Sequence, residues 1–116
     1  MPNTTFSADE YTKILEATFG EMCKLGKLKG GEYAAESDRL DNFRRNALDC
    51  GVLMETCWRV YAGKHWDAIS TYVRDLQTGK HRERLENITG RVDDLLVYLV
   101  LFKCMIVERE RAQGAR

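Results

Sequence analysis

Hydrophobic residues recur every three or four positions along most of the chain, which is the spacing of one face of an α-helix. The first such face consists of Tyr11, Ile14, Leu15, Thr18, Met22 and Leu25. Ser7 lies just before it and is followed by Asp9 and Glu10. A serine hydroxyl there can cap free backbone amides, and the acids oppose the positive end of the helix dipole. We therefore predict a first helix that begins after Ser7 and ends near Lys29, where two glycines follow.

Two more helices are predicted between Ser37 and Gly79. Ser37 or Asp38 can cap a short second helix, which Gly51 ends. Its inner side carries Leu40, Phe43 and Ala47. A long third helix follows from about Leu53 to Gly79. Its inward positions are Met54, Trp58, Tyr61, Ile69, Tyr72, Val73 and Leu76.

The fourth predicted helix extends from about Arg84 to about Arg111 and is apolar around most of its circumference. Its main stripe consists of Ile88, Val92, Leu95, Leu96, Leu99, Phe102 and Ile106. A helix of this kind has to be covered on more than one side, and three short partners in one subunit do not suffice. We therefore predict an all-α four-helix bundle completed by oligomerisation, with part of the fourth or third helix packed against a second copy.

Length and composition are typical of one small globular domain. Residues 1–116 form a single helical domain on this prediction, with residues 1–7 and 112–116 frayed. The apolar run Leu95–Val107 is short of the roughly 20 residues that a membrane span needs. The start of the chain lacks the basic and apolar stretches of a signal peptide, so we expect a cytoplasmic protein. Its four cysteines show no CxxC spacing and lie in helical patterns, which predicts reduced, packed thiols.

The charges of the chain balance, since Lys plus Arg and Asp plus Glu both total 18. A neutral chain has no global field that would draw it onto nucleic acid or an anionic membrane, so we expect neither partner. Local clusters would have to supply any anion binding. The sequence contains no Walker loop or GxGxxG, and His65 and His81 show no HxxxH or HExxH spacing, so we predict no histidine metal site.

The densest polar stretch spans residues 29–45 and includes aromatic residues such as Tyr33. Asp38, Asn42 and Arg45 share one side of the second predicted helix, whose start offers unpaired amides to an anion. The same spacing also suits a solvated face whose acids and bases pair three and four residues apart. Both interpretations stay open.

A second polar cluster, Lys64-His65-Trp66, interrupts the packing pattern of the third helix. A cation beside a large ring suits a ligand that carries both a base and a phosphate. Packing of Trp66 in the core is the favoured alternative, because a core position is the more common place for tryptophan.

A third cluster lies in the fourth helix, where Arg91 precedes Asp94 by one turn and Tyr98 follows Asp94 by four residues. These side chains share a face and could contact one ligand. The alternative is an ordinary ion pair with a neighbouring helix, because an aspartate in an apolar helix usually has a partner.

The order of these clusters along the chain resembles a known family. The matching segments are Lys29 with Glu32-Tyr33, then Asp38–Phe43, then Lys64–Ile69, then Gly90–Leu95 leading into Tyr98-Leu99. Together they are similar to the nucleotide modification associated domain 1 family of phage and bacterial proteins. That family in turn resembles the all-helical nucleoside triphosphate pyrophosphatases of MazG type. The resemblance covers roughly residues 28–101.

The resemblance implies a MazG-like four-helix unit that forms a dimer or higher homo-oligomer, with a nucleotide pocket where its second, third and fourth helices meet. Its lining would consist of Lys29, Tyr33, Asp38, Arg39, Asn42, Lys64, His65, Arg91, Asp94 and Tyr98. A phage-encoded protein of this kind would capture a nucleotide or a cyclic nucleotide signal in the host cytoplasm and so counter host defence.

Enzymes of MazG type hold magnesium with an ExxE pair and an ExxD pair, and this sequence departs from that pattern. The residue three before Asp94 is Arg91, which would pair with a phosphate and not with a metal, and Glu32 and Glu36 are four apart. We therefore expect binding of an intact nucleotide without a cofactor. Two alternatives stay open: a magnesium-dependent pyrophosphohydrolase that uses Glu36, Asp38 and Asp94, and a helical protein-interaction module.

Overall fold

A computed structural model of the protein describes residues 5–33 and 37–114, and the side chains of residues 5–27 and 37–114. Four α-helices follow one another: α1 (Ala8–Tyr33), α2 (Asp41–Cys50), α3 (Met54–Thr78) and α4 (Ile88–Gly114). These ranges contain no strand. The prediction of an all-α fold with four helices is therefore confirmed for the part of the chain that is described.

The start of α1 is as predicted, whereas its end is not. Ser7 Oγ accepts a hydrogen bond from the backbone N–H of Glu10 (3.1 Å), and the Glu10 carboxylate accepts one from the N–H of Ser7 (3.3 Å), which forms a capping box. The helix continues through Gly30 and Gly31 to Tyr33. A glycine is compatible with helical geometry and ends a helix only where the chain turns into a left-handed conformation.

Such left-handed glycines do end the next two helices, as predicted. Gly51 has φ +68° and Gly79 has φ +71°. The N–H of Val52 reaches back to the carbonyl of Ala47 (3.0 Å), so the end of α2 has the hydrogen bonds of a Schellman motif. The α3 boundaries, Met54–Thr78, agree with the predicted range.

The predicted starts of α2 and α4 are wrong by a few residues. Asp38 does not cap α2 directly: its Oδ1 accepts a hydrogen bond from the N–H of Leu40 (3.0 Å), and the helix begins only at Asp41. The fourth helix begins at Ile88 instead of Arg84, because Asn87 Oδ1 accepts the N–H of Gly90 (2.8 Å). Asparagine is a favoured capping residue, and a polar segment therefore precedes the helix. At its other end α4 continues past the predicted limit.

The helices α3 and α4 lie antiparallel and form the centre of the fold. The ring of Trp58, early in α3, lies 4.5 Å from that of Phe102 in the second half of α4, and Trp58 Nε1 donates to the carbonyl of Tyr98 (2.6 Å). The short helix α2 packs on α3. The core consists of Leu40, Phe43, Ala47, Met54, Cys57 and Met105.

The helix α1 packs on α4, and the two run in the same direction. Glu21 lies close enough to raise the pKa of Asp93, near the start of α4. The end of α1, at Tyr33, lies five residues before Asp38. Arg44 binds both Asp38 and Glu108, and Glu108 is near the end of α4, so the two helices end on the same side. Thirteen residues of α1 precede Glu21 and five of α4 precede Asp93, so α1 begins about eight residues, or about 12 Å, before α4.

Several positions predicted to be inward are exposed because the helices are long and staggered. Val73 and Leu76 of α3 are 56% and 65% exposed, and Trp66 is 56% exposed and not a core residue. On α1 the first half of the predicted stripe faces solvent. The prediction of packed cysteines holds only for Cys57, since Cys23, Cys50 and Cys104 are exposed free thiols. Among the described residues no helix is long and apolar enough to cross a membrane.

Candidate functional site

The candidate site is centred on His65, a buried histidine in the middle of α3. The residue is 6% exposed, although histidine is usually found partly in contact with water. Its ring lies 5.3 Å from the ring of Tyr98 on α4, with the two planes inclined by 37°. The antiparallel packing of α3 on α4 thus joins the second and third polar clusters of the sequence.

Two charged residues of opposite sign approach the same nitrogen of this histidine. Arg91 Nη1 lies 3.4 Å from His65 Nδ1, and Asp94 Oδ2 lies 3.9 Å from it. Nδ1 carries a hydrogen in some protonation states and a lone pair in others. Without a hydrogen it accepts from Arg91, whereas with one it is attracted to Asp94. One ring nitrogen of His65 therefore lies within reach of both a cation and an anion.

Arg91 gives the cluster its contact with solvent. Its side chain is 29% exposed, and its Nε lies 3.2 Å from Glu86, whose side chain is 59% exposed. An ion pair at such a surface is worth about 0–1 kcal/mol. A phosphate can form bidentate, charge-assisted hydrogen bonds with a guanidinium and would compete well with this carboxylate. The arrangement is therefore suited to binding an anion.

Aromatic residues of the core hold Tyr98 in place behind the cluster. The ring of Phe43 on α2 stands edge-on to Tyr98 (centroids 6.4 Å, planes at 81°) and to Tyr61 (6.0 Å, 76°). Asn46 Nδ2 donates to the Tyr61 hydroxyl (3.4 Å). These contacts hold the ring of Tyr98, which forms one wall of the site, in a fixed position. A fixed side-chain position is a requirement for specific binding.

Asp38 was predicted to line the same pocket, but the structure places it apart from this cluster. Its carboxylate pairs with Arg44 (Nε to Oδ2, 2.7 Å), and Arg44 also binds Glu108 (Nη1 to Oε1, 2.6 Å). The hydrogen bonds from Arg44 lower the pKa of both carboxyl groups. Glu108 lies 14 positions after Asp94 on α4 (108 − 94), or about 21 Å along the helix axis. Asp38 and Asp94 therefore belong to different parts of the surface.

Of the other predicted site residues, some have described side chains outside the cluster and some lie outside the described residues. Arg39 and Asn42 are half-buried at the start of α2, and Lys64 is exposed on α3 beside His65. The side chains of Lys29 and Tyr33 lie outside the described residues, as does Glu36. The structure thus assembles four predicted residues into one cluster: His65, Arg91, Asp94 and Tyr98.

Sequence reasoning missed the two arginines that bind Asp75 near the end of α3. Asp75 is 7% exposed and accepts hydrogen bonds from Arg82 (2.7 Å) and Arg84 (2.9 Å). The hydrogen bond from Arg82 lowers the pKa of Asp75, and Arg84 also lies 5.2 Å from the ring centre of Tyr72. The signal in the sequence was an aspartate on the inner face of α3, because a buried carboxylate is rarely without a cationic partner.

In residues 5–33 and 37–114 no group of three or more His, Cys, Asp or Glu could hold a metal ion. The described carboxylates that MazG-type chemistry would use, Asp38 and Asp94, are also too far apart to share one ion.

Comparison with known proteins gives no match: no protein-family model, no curated protein and no solved structure matches this chain.

Proposed function

We propose that the protein binds a nucleotide-type phosphate ligand at the cluster of His65, Arg91, Asp94 and Tyr98, and that it sequesters the ligand intact. The observation that carries this proposal is a histidine almost without contact to water that faces both an arginine and an aspartate. Burial of two ionisable groups, His65 and Asp94, costs free energy unless they serve one another or a ligand. Arg91 reaches the surface and is the group that would meet a phosphate.

Sequestration fits the charges better than hydrolysis does. In a metal-dependent pyrophosphohydrolase, several carboxylates converge on the cation that holds the phosphates. Here Asp38 is bound by Arg44, and Asp94 lies beside Arg91 and His65. A site with these neighbours favours phosphate oxygens over a magnesium ion. A captured nucleotide or cyclic nucleotide signal is the ligand class that we propose, and a phage protein directed against host defence is the setting.

We further propose that the MazG-like arrangement is completed by a second copy. The radius of gyration is 17.6 Å and the extents are 61 × 31 × 26 Å. A compact chain of 116 residues has a radius of gyration of about 13 Å. Many large hydrophobic side chains are also exposed on α1, α3 and α4. A subunit this extended and this apolar on its surface gains free energy by packing against another.

The test is a thermal-shift screen of the purified protein. The panel contains nucleoside triphosphates, cyclic dinucleotides and cyclic ADP-ribose isomers, each with magnesium and with chelator. A ligand at a hundredfold excess over its dissociation constant stabilises the folded state by about 2.7 kcal/mol. We expect a shift that chelator does not change, and recovery of the ligand unaltered after denaturation of the protein.

Two substitutions locate the binding. Arg91→Ala is expected to abolish the shift, whereas Arg74→Ala, which removes an exposed arginine from the adjacent helix, is expected to leave it unchanged. Release of pyrophosphate that requires magnesium would support the hydrolase instead. A shift unaffected by Arg91→Ala would place the ligand elsewhere, and the absence of any shift would favour a protein-interaction module.

A further inference from the structure

The first half of α1 packs against no other element in the part of the chain that the structure describes. Every residue from Ala8 to Ala17 is exposed, and this segment begins about eight residues before α4, the helix on which α1 packs. Its apolar side chains, with flanking residues, are exposed by 54–67%: Phe6, Tyr11, Ile14, Leu15 and Phe19. We call residues 6–19 the arm. The apolar stripe of the arm lies on the same face of α1 as the half-buried residues Met22 and Leu25 of its second half, where α1 contacts α4.

The second half of α4 has an uncovered apolar surface of matching length. Leu99 and Ile106, seven residues apart, are 48% and 44% exposed. Beside them lies a groove of about 420 Å³ that Val100 and Val107 line with Leu40. Residues 99–111 extend over about 20 Å, and the helical residues 8–19 of the arm over about 18 Å. We call this surface the α4 seat.

The charges of the arm and the α4 seat are complementary. Residues 8–17 carry Asp9, Glu10 and Glu16 against one lysine, which gives a net charge of −2 (three acids minus one base). The groove is bordered by Lys103 and Arg111. Among the described residues that line it, the one acid, Glu108, is paired with Arg44. An acidic amphipathic helix therefore suits the α4 seat better than a basic one does.

We propose that the arm of one copy packs into the α4 seat of a second copy, and that the second copy returns the same contact. This inference rests on the assembly proposed above and specifies its interface. At roughly 200 Å² for a large side chain, five residues exposed by about 60% offer about 600 Å². A stable interface buries about 800 Å² on each partner. Since each copy contributes both an arm and a seat, the symmetric pair exceeds this area.

Cysteine cross-linking tests the contact directly, because Cys104 lies in the groove and is exposed. Cys23 and Cys50, the other exposed thiols, are first replaced by serine. Adding Ile14→Cys to this background is expected to give a covalent dimer on a non-reducing gel after mild oxidation. The matched control, Lys13→Cys, places an exposed thiol on the face of α1 opposite the apolar stripe and is expected to give none.

Measurement of the particle mass by light scattering gives an independent result. Wild type is expected at twice the chain mass of 13.4 kDa, and the double variant Ile14→Glu with Leu15→Glu at the chain mass itself. Circular dichroism should show unchanged helix, since both side chains are exposed within one copy. A monomeric wild type, equal cross-linking through Lys13→Cys, or a double variant that stays dimeric would each overturn the proposal.

The outcomes separate this interface from the proposed ligand binding. A variant with Arg91→Ala that loses the nucleotide but remains dimeric supports both proposals. A dimer that no nucleotide stabilises contradicts only the ligand, whereas a double variant that still dimerises contradicts only the interface. Flotation of a monomeric wild type with phosphatidylcholine vesicles would assign the arm to a lipid surface and would also overturn the contact between copies.

Discussion

Replacement of Phe43 by alanine should cost a large part of the stability of this protein. The side chain is 2% exposed and stands between the rings of Tyr61 and Tyr98. Burial of about 200 Å² of apolar surface at about 25 cal/mol per Å² is worth about 5 kcal/mol. Measured Phe→Ala substitutions in protein cores cost about 3–5 kcal/mol. Domains of this size have a free energy of unfolding of about 5–15 kcal/mol, so the variant should be only marginally stable.

Urea unfolding followed by circular dichroism measures this loss. With a slope of about 1.5 kcal/mol per M, the midpoint should fall by about 2–3 M. The control is Leu48→Ala on the same helix, where the side chain is 82% exposed and the change should lie within about 0.5 kcal/mol. A loss below about 1 kcal/mol in the Phe43 variant, or an equal loss in the control, would refute the assignment of this ring to the centre of the core.

Four further substitutions probe the glycines of the helices and the charges. Gly51→Ala should cost about 1–2 kcal/mol because φ there is +68°, whereas Gly20→Ala inside α1 should gain about 0.5–1 kcal/mol, both measured by urea unfolding. Arg44→Met should cost about 1–2 kcal/mol at pH 7, since its ion pairs are partly exposed. Arg44 lowers the pKa of its carboxylate partners, so its stabilisation is present above about pH 4 and is lost as the pH falls further. Asp93→Asn should raise the melting temperature at pH 7, because burial raises the pKa of Asp93 and disfavours its charged form. That advantage should shrink on acidification, as wild type takes up the proton in the folded state.

Much of the fold follows from local chemistry that is visible in the sequence. The capping box at Ser7 needs only a serine and a glutamate three residues apart, and Gly51 and Gly79 supply the left-handed turns that end two helices. These interactions are complete within a few residues. By contrast, the end of α1 depends on whether its two late glycines stay helical, which a residue type alone does not decide.

The candidate site was predictable only in part, because its residues come from separate helices. Spacing alone predicts that Arg91, Asp94 and Tyr98 share one face of α4, whereas only the family resemblance implied that His65 of α3 lies beside them. The separation of Asp38 from these residues could not be anticipated. That carboxylate is drawn away by Arg44 and Glu108, and Glu108 belongs to a part of α4 with no distinctive motif. Ion pairs between residues far apart in sequence follow no periodic pattern, so the sequence alone does not reveal them.

The exposed stripe of α1 shows what a periodic pattern specifies and what it leaves open. The spacing of Tyr11, Ile14 and Leu15 indicates that one face of the helix is to be covered, but not which chain covers it. Within one copy, α4 begins too late to reach these residues, although it packs on the continuation of the same face. The stripe therefore has the composition of a buried face and the position of an exposed one. A contact between copies would remove this contradiction without any change in the fold of the subunit, and it would use none of the residues around His65 at which we propose ligand binding.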